Sequence, residues 1–143
     1  MDEAQREAQG PTSGVTPYLT IREQRGRQAV DWYVRAFGAE TPMEPSMAED
    51  GVRVIHAHLR VNGGSFMLSD DFPEYHGQVD APSPSGVTLH LQTSDPDAIW
   101  ARAVEAGAEV TMPLEDQFWG DRYGQLRDPF GHRWSIGGPS RRA

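Results

Sequence analysis

Three histidines are the residues whose type and spacing could do chemistry. His56 and His58 lie two positions apart in a predicted strand at 52–61, so strand alternation points both side chains to one face. Imidazole pairs of this kind bind divalent metal ions when a third imidazole or carboxylate joins them, and His90 is the candidate third ligand. His90 could also act alone as a general acid or base, because an imidazole titrates near neutral pH. Histidines that are merely solvated or hydrogen-bonded on strands are the structural alternative.

Most other reactive side chains are missing from the chain or lack the context that their chemistry needs. There is no cysteine and no lysine, which excludes disulfides, thiolate ligands, cysteine nucleophiles and lysine Schiff bases. No serine stands in a nucleophile-elbow pattern, and Gly63-Gly64 lacks the lysine and the following helix of a phosphate-binding loop. The histidines and a set of aromatic side chains therefore remain as the candidates for function.

Charge and hydropathy exclude two classes of partner. The formal net charge of −8 disfavours nucleic acid, because proteins that bind the phosphate backbone usually present a basic face. The apolar runs are only a few residues long and the N-terminus is polar, so neither a membrane span nor a signal peptide is predicted. We expect a soluble, cytoplasmic protein with no nucleic-acid and no membrane partner.

The elements that must position these side chains occur twice in the same order. Each set reads as strand, helix, short strand and hairpin, a βαβββ module. The first set comprises 15–21, 27–37, 41–44, 52–61 and 65–69, and the second comprises 87–93, a helix opened by Asp95-Pro96, 109–112 and the hairpin 117–136. Residues repeat as well, since Gly38-Ala39-Glu40 is matched by Gly107-Ala108-Glu109. Internal repetition indicates two copies of one supersecondary unit.

This organisation predicts an α+β fold with two modules in one chain. The expected divisions are a flexible arm at 1–13, a first module at 14–70, a linker or lid at 71–86, a second module at 87–138 and a tail at 139–143. The segment 71–86 has no periodicity and is rich in proline, which is typical of a disordered link or of a lid over a site.

The two modules and the hairpin Leu-Arg-Asp-Pro-Phe-Gly-His-Arg-Trp at 126–134 together resemble the vicinal oxygen chelate superfamily. That superfamily includes glyoxalase I, bleomycin-resistance proteins and extradiol dioxygenases. Met-Leu-Ser-Asp at 67–70 and Asp-Gln-Phe-Trp-Gly-Asp-Arg-Tyr-Gly at 116–124 are similar to its PhnB-like branch. The resemblance implies that each module curls into a half-barrel and that two modules enclose a cavity.

Metal-bearing members of this superfamily place one ligand on the first strand and one on the last strand of each module. The resemblance puts those positions at Thr16, Met67, Thr88 and Ser135. Hydroxyl and thioether groups are poor donors for a divalent first-row ion, and the neighbouring residues in each strand could not ligate either. We therefore expect no cofactor, with His56, His58 and His90 as the alternative metal set.

The same alignment implies a ligand-binding lining of mixed apolar and hydrogen-bonding character. Trp119, Arg122 and Tyr123 belong to a strand whose cavity-facing side alternation alone leaves open, and Arg122 could instead form an internal ion pair with Asp121. The predicted ligand-binding residues are Thr16, Tyr18, Met67, Ser69, Thr88, His90, Gln92, Trp119, Arg122, Tyr123 and Ser135.

Two functions follow from these expectations. The first is a metal-free protein that sequesters an aromatic or amphipathic metabolite or antibiotic, because aromatic and polar linings suit such ligands. It resembles the bleomycin-resistance and PhnB-like proteins, and we expect it to be a homodimer that binds a small organic ligand. The alternative is a lyase or dioxygenase-like enzyme of the same superfamily, acting through the histidine metal set or through His90 as acid or base.

Overall fold

The computed structural model describes residues 1–140, and these fall into two compact units. The first unit comprises residues 1–34 and 38–82, and the second comprises residues 35–37 and the described chain from 83 onward. Each contains one four-stranded mixed sheet. The predicted α+β fold with two βαβββ modules is confirmed. Of the predicted tail at 139–143, residues 141–143 lie outside the described part of the chain.

The first unit contains an additional helix before its module. Its elements are α1 (Glu3–Gln9), β1 (Tyr18–Ile21), α2 (Gly26–Phe37), β2 (Ser46–Met47), β3 (Val54–Val61), β4 (Gly64–Asp70) and a 3₁₀ turn (Pro73–Tyr75). The strand order is β1-β4-β3-β2, with β1 parallel to β4 and the other pairs antiparallel. Asn62 and Gly63 both have positive φ in the tight turn between β3 and β4, as a hairpin with matched twist requires.

The second unit repeats the arrangement. Its elements are β5 (Thr88–Gln92), α3 (Pro96–Glu105), β6 (Glu109–Asp116), β7 (Asp121–Arg127) and β8 (Arg133–Pro139). The strand order is β5-β8-β7-β6, and β5 runs parallel to β8. Asp95 caps α3 by accepting a hydrogen bond from the backbone N–H of Ala98, with Pro96 in the first turn.

One face of each sheet packs against the apolar stripe of a helix. In the first unit Ala29, Val30 and Tyr33 of α2 are buried, and the Tyr33 ring meets Phe66 of β4 edge-on with centroids 5.1 Å apart. In the second unit Leu126 and Trp134 are buried on the equivalent face. Burying each such side chain stabilises the fold by about 1.5–3 kcal/mol. The opposite faces of the two sheets are thereby left to carry polar residues.

Asp70 joins α2 to the sheet of the first unit. Its carboxylate is buried and accepts hydrogen bonds from the backbone N–H groups of Gly26 at 2.8 Å and Val54 at 2.7 Å. Burial raises the pKa of Asp70, and the two N–H donors oppose that rise. A methyl group at Gly26 would overlap the carboxylate, so glycine is required where the helix begins.

Two predicted elements differ from the structure. The short strand expected at 41–44 is wrong, because the second strand along the chain is β2 at Ser46–Met47, which lies at the edge of the sheet. The segment 1–13, expected to be a flexible arm, contains the helix α1 at Glu3–Gln9. A capping box at Asp2 and Gln5 begins this helix, and hydrophobic periodicity did not detect it because the helix buries no side chain. No helix within residues 1–140 is long and apolar enough to cross a membrane.

Arg53, which directly precedes β3, forms an ion-pair cluster with Asp50 and with Glu74 of the 3₁₀ turn. Its Nε lies 2.7 Å from Asp50, its two terminal nitrogens each lie 2.8 Å from an oxygen of Glu74, and its guanidinium stacks 4.3 Å from the centroid of Phe72. Backbone N–H groups of Arg53 and Val52, together with the guanidinium, lower the pKa of Asp50 to about 2. Arg53 also lowers the pKa of Glu74.

We expect Asp50→Asn to reduce the melting temperature near neutral pH and to lose that effect in acid. The folded-state pKa of Asp50 lies below its ordinary value of 3.8, so its charge stabilises the fold above about pH 4. That contribution disappears as the pH falls from about 4 to about 2. Calorimetric melting of both proteins across this range measures the difference. Glu49→Gln is the matched control, because Glu49 forms no ion pair within residues 1–140, and a constant difference for Asp50→Asn would contradict the expectation.

Candidate functional site

The candidate site is the face of the second sheet that is turned away from α3. Thr88, His90 and Gln92 of β5 are exposed there, and strand register places Ser135 of β8 beside His90. Gln125 of β7 lies opposite Ser135. Of the predicted ligand-binding residues of the second module, the structure brings together on this face Thr88, His90, Gln92, Trp119, Tyr123 and Ser135.

Both ring nitrogens of His90 are hydrogen-bonded. Nε2 lies 2.8 Å from Oε1 of Gln92, a carbonyl oxygen that only accepts, so Nε2 carries the proton. Nδ1 therefore accepts from the hydroxyl of Ser135 at 2.7 Å. Ser135 is only 2% exposed. Its role in this arrangement is to orient the imidazole, because a reacting carbon could not approach so buried an oxygen.

A row of four rings crosses the face. The His90 ring stacks on Tyr123 with centroids 5.9 Å apart and an interplanar angle of 17°. Tyr123 meets Trp119 edge-on at 5.9 Å, and Trp119 meets Phe118 edge-on at 5.1 Å. Phe118 is 97% exposed and Trp119 is 51% exposed, whereas Trp134 and Phe130 of the same hairpin belong to the core. Large exposed aromatics in a contiguous group are typical of a binding surface.

Gly137 makes room for the stacked pair. A methyl group there would lie 2.9 Å from Cε1 and 3.3 Å from Nε2 of His90, a ring that Ser135 and Gln92 hold in place. We expect Gly137→Ala to displace the imidazole and to separate it from Tyr123. The measurement is the imidazole proton shifts in NMR spectra, which ring stacking moves upfield. Shifts that match those of the unsubstituted protein would show that the pocket tolerates the methyl group.

Arg122 does not belong to this face. Its side chain lies on the opposite side of β7, where Nε is 3.1 Å from Asp97 and a terminal nitrogen is 3.4 Å from Asp116. The predicted ion pair with Asp121 is therefore wrong in its partner, although the structural role of Arg122 is found. Sequence proximity suggested Asp121, but adjacent strand residues point to opposite faces. Arg122 thus joins β7 to β6 and to the first turn of α3.

The first sheet carries an aromatic pair at the equivalent place. Tyr18 of β1 and His56 of β3 meet edge-on at 5.6 Å, and the tyrosine hydroxyl lies 2.7 Å from Nδ1 of His56. Register places Tyr18 where the second sheet has His90, and His56 where it has Tyr123. The two residue types are thus exchanged between the modules. Partial burial raises the pKa of Tyr18, so its phenol remains protonated and donates to His56.

The other predicted residues of the first module lie around this pair. Met67 is half-buried opposite Tyr18, and Ser69 bonds the backbone carbonyl of Asp70 at 3.1 Å. Thr16 lines a cleft beside the N-terminal residues. His56 and His58 share the face, as predicted, but their nitrogens are engaged by hydroxyl groups and by backbone carbonyls of residues 8 and 9.

The donor chemistry does not fit a resident metal ion. Within the first unit the implied pair is Thr16 and Met67, and within the second it is Thr88 and Ser135, so neither unit offers an imidazole or carboxylate at these positions. Within residues 1–140 no three His, Cys, Asp or Glu side chains are grouped so as to hold an ion. No metal-dependent step is therefore derived from this arrangement.

Sequence reasoning missed three features of these faces. Gln125 donates to the Tyr123 hydroxyl at 3.1 Å and lies beside Ser135. Its position two residues after Tyr123 was a usable signal, because such residues share a face. Gly137 could have been suspected as a glycine inside a strand, which often marks a close approach. No local signal predicted that the carbonyls of residues 8 and 9 would meet the histidines of β3.

Comparison of the sequence with known proteins finds a matching family profile and several similar chains. The profile described as the Glyoxalase/Bleomycin resistance protein/Dioxygenase superfamily matches residues 16–136. The protein Mb0911c of Mycobacterium bovis is 46% identical over 132 residues, which covers 89% of this chain and 84% of the relative. YjdN of Escherichia coli is 28% identical, covering 85% of this chain and 92% of the relative.

Comparison with solved structures finds proteins of similar fold. TioX from Micromonospora sp. ML1 has a TM-score of 0.63 at 28% identity, covering 89% of this chain and all of that one. PA1353 from Pseudomonas aeruginosa has a TM-score of 0.66 at 27% identity, covering 90% of this chain and 98% of that one. A PhnB protein from Bacillus cereus, at 19% identity and a TM-score of 0.63 over 88% and 99% of the two chains, shares the fold.

Proposed function

The chain belongs to the Glyoxalase/Bleomycin resistance protein/Dioxygenase superfamily, and from this premise we propose that it binds a small organic ligand on the open face of the second sheet. The ligand would be a flat aromatic or amphipathic metabolite or antibiotic, which the protein sequesters without a covalent step. Its apolar part would stack on the exposed rings and its polar groups would bond the amide and hydroxyl side chains of β5 and β7.

The observation that carries this proposal is the fixed imidazole of His90. A general acid or base needs a ring nitrogen that can exchange a proton with substrate, and here one nitrogen faces Ser135 and the other faces Gln92. The ring is instead held nearly parallel to Tyr123, with centroids 5.9 Å apart, where it extends an exposed aromatic surface. Such preorganised aromatic surfaces favour binding, because few rotatable bonds must be fixed when the ligand arrives.

An enzymatic role for His90 is the second candidate, and the 2.7 Å contact with Ser135 is the observation that favours it. A base hydrogen-bonded to a hydroxyl is the first part of an activated nucleophile. Ser135 is almost fully buried, however, and catalysis would require this strand face to open. Ligand recovered chemically unchanged after prolonged incubation would reject this candidate, and its conversion that is lost in His90→Gln would establish it.

The proposal includes assembly as a homodimer in the cytoplasm. Val110 and Met112, at 43% and 39% exposure, lie on β6, which within residues 1–140 is an edge strand beside β7. A strand edge with exposed apolar side chains is a surface that natural proteins usually cover. Sedimentation equilibrium of Val110→Glu against the unsubstituted protein tests this part independently of ligand binding.

Tryptophan emission provides the direct test of binding. Trp119 is half-exposed on the proposed face, whereas Trp32 and Trp134 are each 4% exposed and the Trp100 ring of α3 lies beside Gly124 on the other side of the sheet. A bound aromatic should therefore quench mainly Trp119. We expect quenching with members of a panel of aromatic antibiotics and metabolites, and with the amphipathic probe 8-anilino-1-naphthalenesulfonate. Trp119→Phe should retain binding by calorimetry and lose the quenching, because the substituted ring still stacks but no longer emits.

Substitutions of the ring row should weaken the same binding. We expect Tyr123→Ala to reduce affinity by about tenfold, since an aromatic contact contributes about 0.5–1.5 kcal/mol beyond its buried area and tenfold corresponds to about 1.4 kcal/mol. Tyr75→Ala, at a tyrosine that is 79% exposed in the first unit, is the matched control. A panel without any response, or equal losses in the two variants, would reject the proposed face.

A further inference from the structure

The open faces of the two sheets are equivalent in position but differ in access. On the second face Thr88, His90 and Gln92 are exposed. On the first face the N-terminal segment, defined here as residues 1–13, lies over His56 and His58. A face that corresponds to the proposed binding surface is therefore occupied by a piece of the same chain.

The N-terminal segment is held through its backbone. Because the Tyr18 hydroxyl donates to Nδ1 of His56, Nε2 carries the proton and donates to the carbonyl of Gln9 at 2.6 Å. Nδ1 of His58 donates to the carbonyl of Ala8 at 3.0 Å. These two carbonyls lie at the end of α1 and accept no hydrogen bond within the helix. The histidine N–H groups therefore bind them, as they could bind the acceptor atoms of a ligand.

Close packing adds one further contact. Gly10 is buried, and a Cβ atom at this position would lie 2.9 Å from Sδ of Met67. A larger residue at position 10 would therefore require the end of the Met67 side chain to shift. Met67 is the residue opposite Tyr18, so Gly10 lies over the centre of the face.

The hold on the N-terminal segment is weak compared with the core. α1 has only seven residues and buries none of their side chains. A helix of that length is marginal in water without tertiary packing. Segments with few buried apolar contacts open at much lower free energy than the whole fold. The segment can therefore leave while the sheet beneath it remains folded.

A cleft beside the segment provides a place where a ligand could enter. Its volume is about 410 Å³, which lies within the range of small-molecule sites. One wall is formed by the N-terminal segment, including Thr12 and Ser13, and the other by Arg60 and Ser65 of the sheet together with His58. A molecule in this cleft would contact both the first face and the edge of the N-terminal segment.

We propose that the open face of the first sheet is an additional ligand-binding surface. The N-terminal segment covers this surface and exchanges with the ligand. Release of the segment exposes the N–H donors of His56 and His58. It also exposes the aromatic pair that His56 forms with Tyr18. The opened face takes an aromatic molecule that carries hydrogen-bond acceptors in place of the two peptide carbonyls. The ligand class rests on the proposed function, whereas the exchange of the segment does not.

The test separates the segment from the folded protein. A recognition sequence for a site-specific protease is inserted between Thr12 and Ser13, which are exposed, and the purified full chain is cleaved. Before cleavage the tether holds the segment near the sheet at an effective concentration of millimolar order. After cleavage the segment is no longer tethered and can dissociate. Calorimetry with 8-anilino-1-naphthalenesulfonate then counts binding sites before and after cleavage, and a synthetic peptide of residues 1–12 is added back as competitor.

We expect one site per chain before cleavage, two after it, and one again with excess peptide. A peptide with Gly10→Val should compete several-fold more weakly, because the Met67 side chain would have to shift to admit the larger residue. One site both before and after cleavage would overturn the inference while supporting the proposed function. No site before cleavage and one after it would support the inference for the first sheet and count against ligand binding on the second sheet.

Gly10→Val in the uncleaved chain keeps the inference testable if cleavage itself perturbs the fold. Near-UV circular dichroism that matches the unsubstituted protein shows that the core is intact. Hydrogen exchange is expected to show the amides of α1 losing protection, and the probe stoichiometry should then rise to two. Released α1 amides with an unchanged stoichiometry of one would overturn the inference.

Discussion

Asp128→Ala should destabilise the protein by about 3–5 kcal/mol, because it leaves three hydrogen-bond donors without an acceptor. One carboxylate oxygen accepts from the backbone N–H groups of Phe130 at 2.9 Å and His132 at 3.0 Å. The other accepts from Nε1 of Trp134 at 2.9 Å. Asp128 is 4% exposed, so water does not readily replace it. Urea unfolding of both proteins, followed by far-UV circular dichroism, measures the loss.

Asp128→Asn is the control that separates the turn from the indole contact. Its amide oxygen can keep the two backbone bonds, while its NH₂ group would face the Trp134 N–H. We expect about half the loss seen for alanine. Because Trp134 precedes Ser135, a loosened turn should also weaken the hold on His90. A loss below about 1 kcal/mol for Asp128→Ala would show that this carboxylate is not needed.

Gly138→Ala should cost at least about 3 kcal/mol, because a methyl group there has no room. It would overlap the backbone carbonyl oxygen of Thr93 and lie 2.9 Å from Cδ of Pro96. Neither atom is the end of a flexible side chain, so β8 or the start of α3 would have to move. Thermal unfolding by calorimetry is the measurement.

Gly64→Ala is the matched control for this substitution. Gly64 begins β4 and does not have a positive φ, and the nearest atom to its added methyl group would be the Val61 carbonyl oxygen at 3.5 Å. We expect a change below about 1 kcal/mol there. Similar melting temperatures for the two variants would mean that the approach of β8 to Thr93 and Pro96 relaxes at little cost.

The modules themselves were predictable because their signals are local. The stripe Ala29, Val30, Tyr33 repeats with the helical period, and all three are buried on α2. The hairpin that contains Asp128 was predicted from the sequence, and in the structure the carboxylate bonds the backbone of its own turn, as aspartate does in many turns. Conformational preference and capping act over a few residues, so one sequence suffices to read them.

The composition of the ring row was only partly predictable. Alternation placed Trp119 and Tyr123 on one side of their strand, but it could not say which side faced the helix. The structure places Tyr123 against His90 and turns Arg122 to the acidic residues of α3 and β6. Strand register and the packing of α3 decide this, and both depend on residues distant in sequence.

The sequence by itself determined that two similar modules form and that polar residues alternate with apolar ones along their strands. It also determined that the positions of the metal ligands in related proteins are filled by poor donors. Only the tertiary structure decided which of two equivalent faces is open. The first is covered because backbone carbonyls of Ala8 and Gln9 accept hydrogen bonds from two histidines that lie 50 and 47 residues further along the chain. A backbone carbonyl has the same chemistry at every residue, so no sequence pattern marks the one that will be bound.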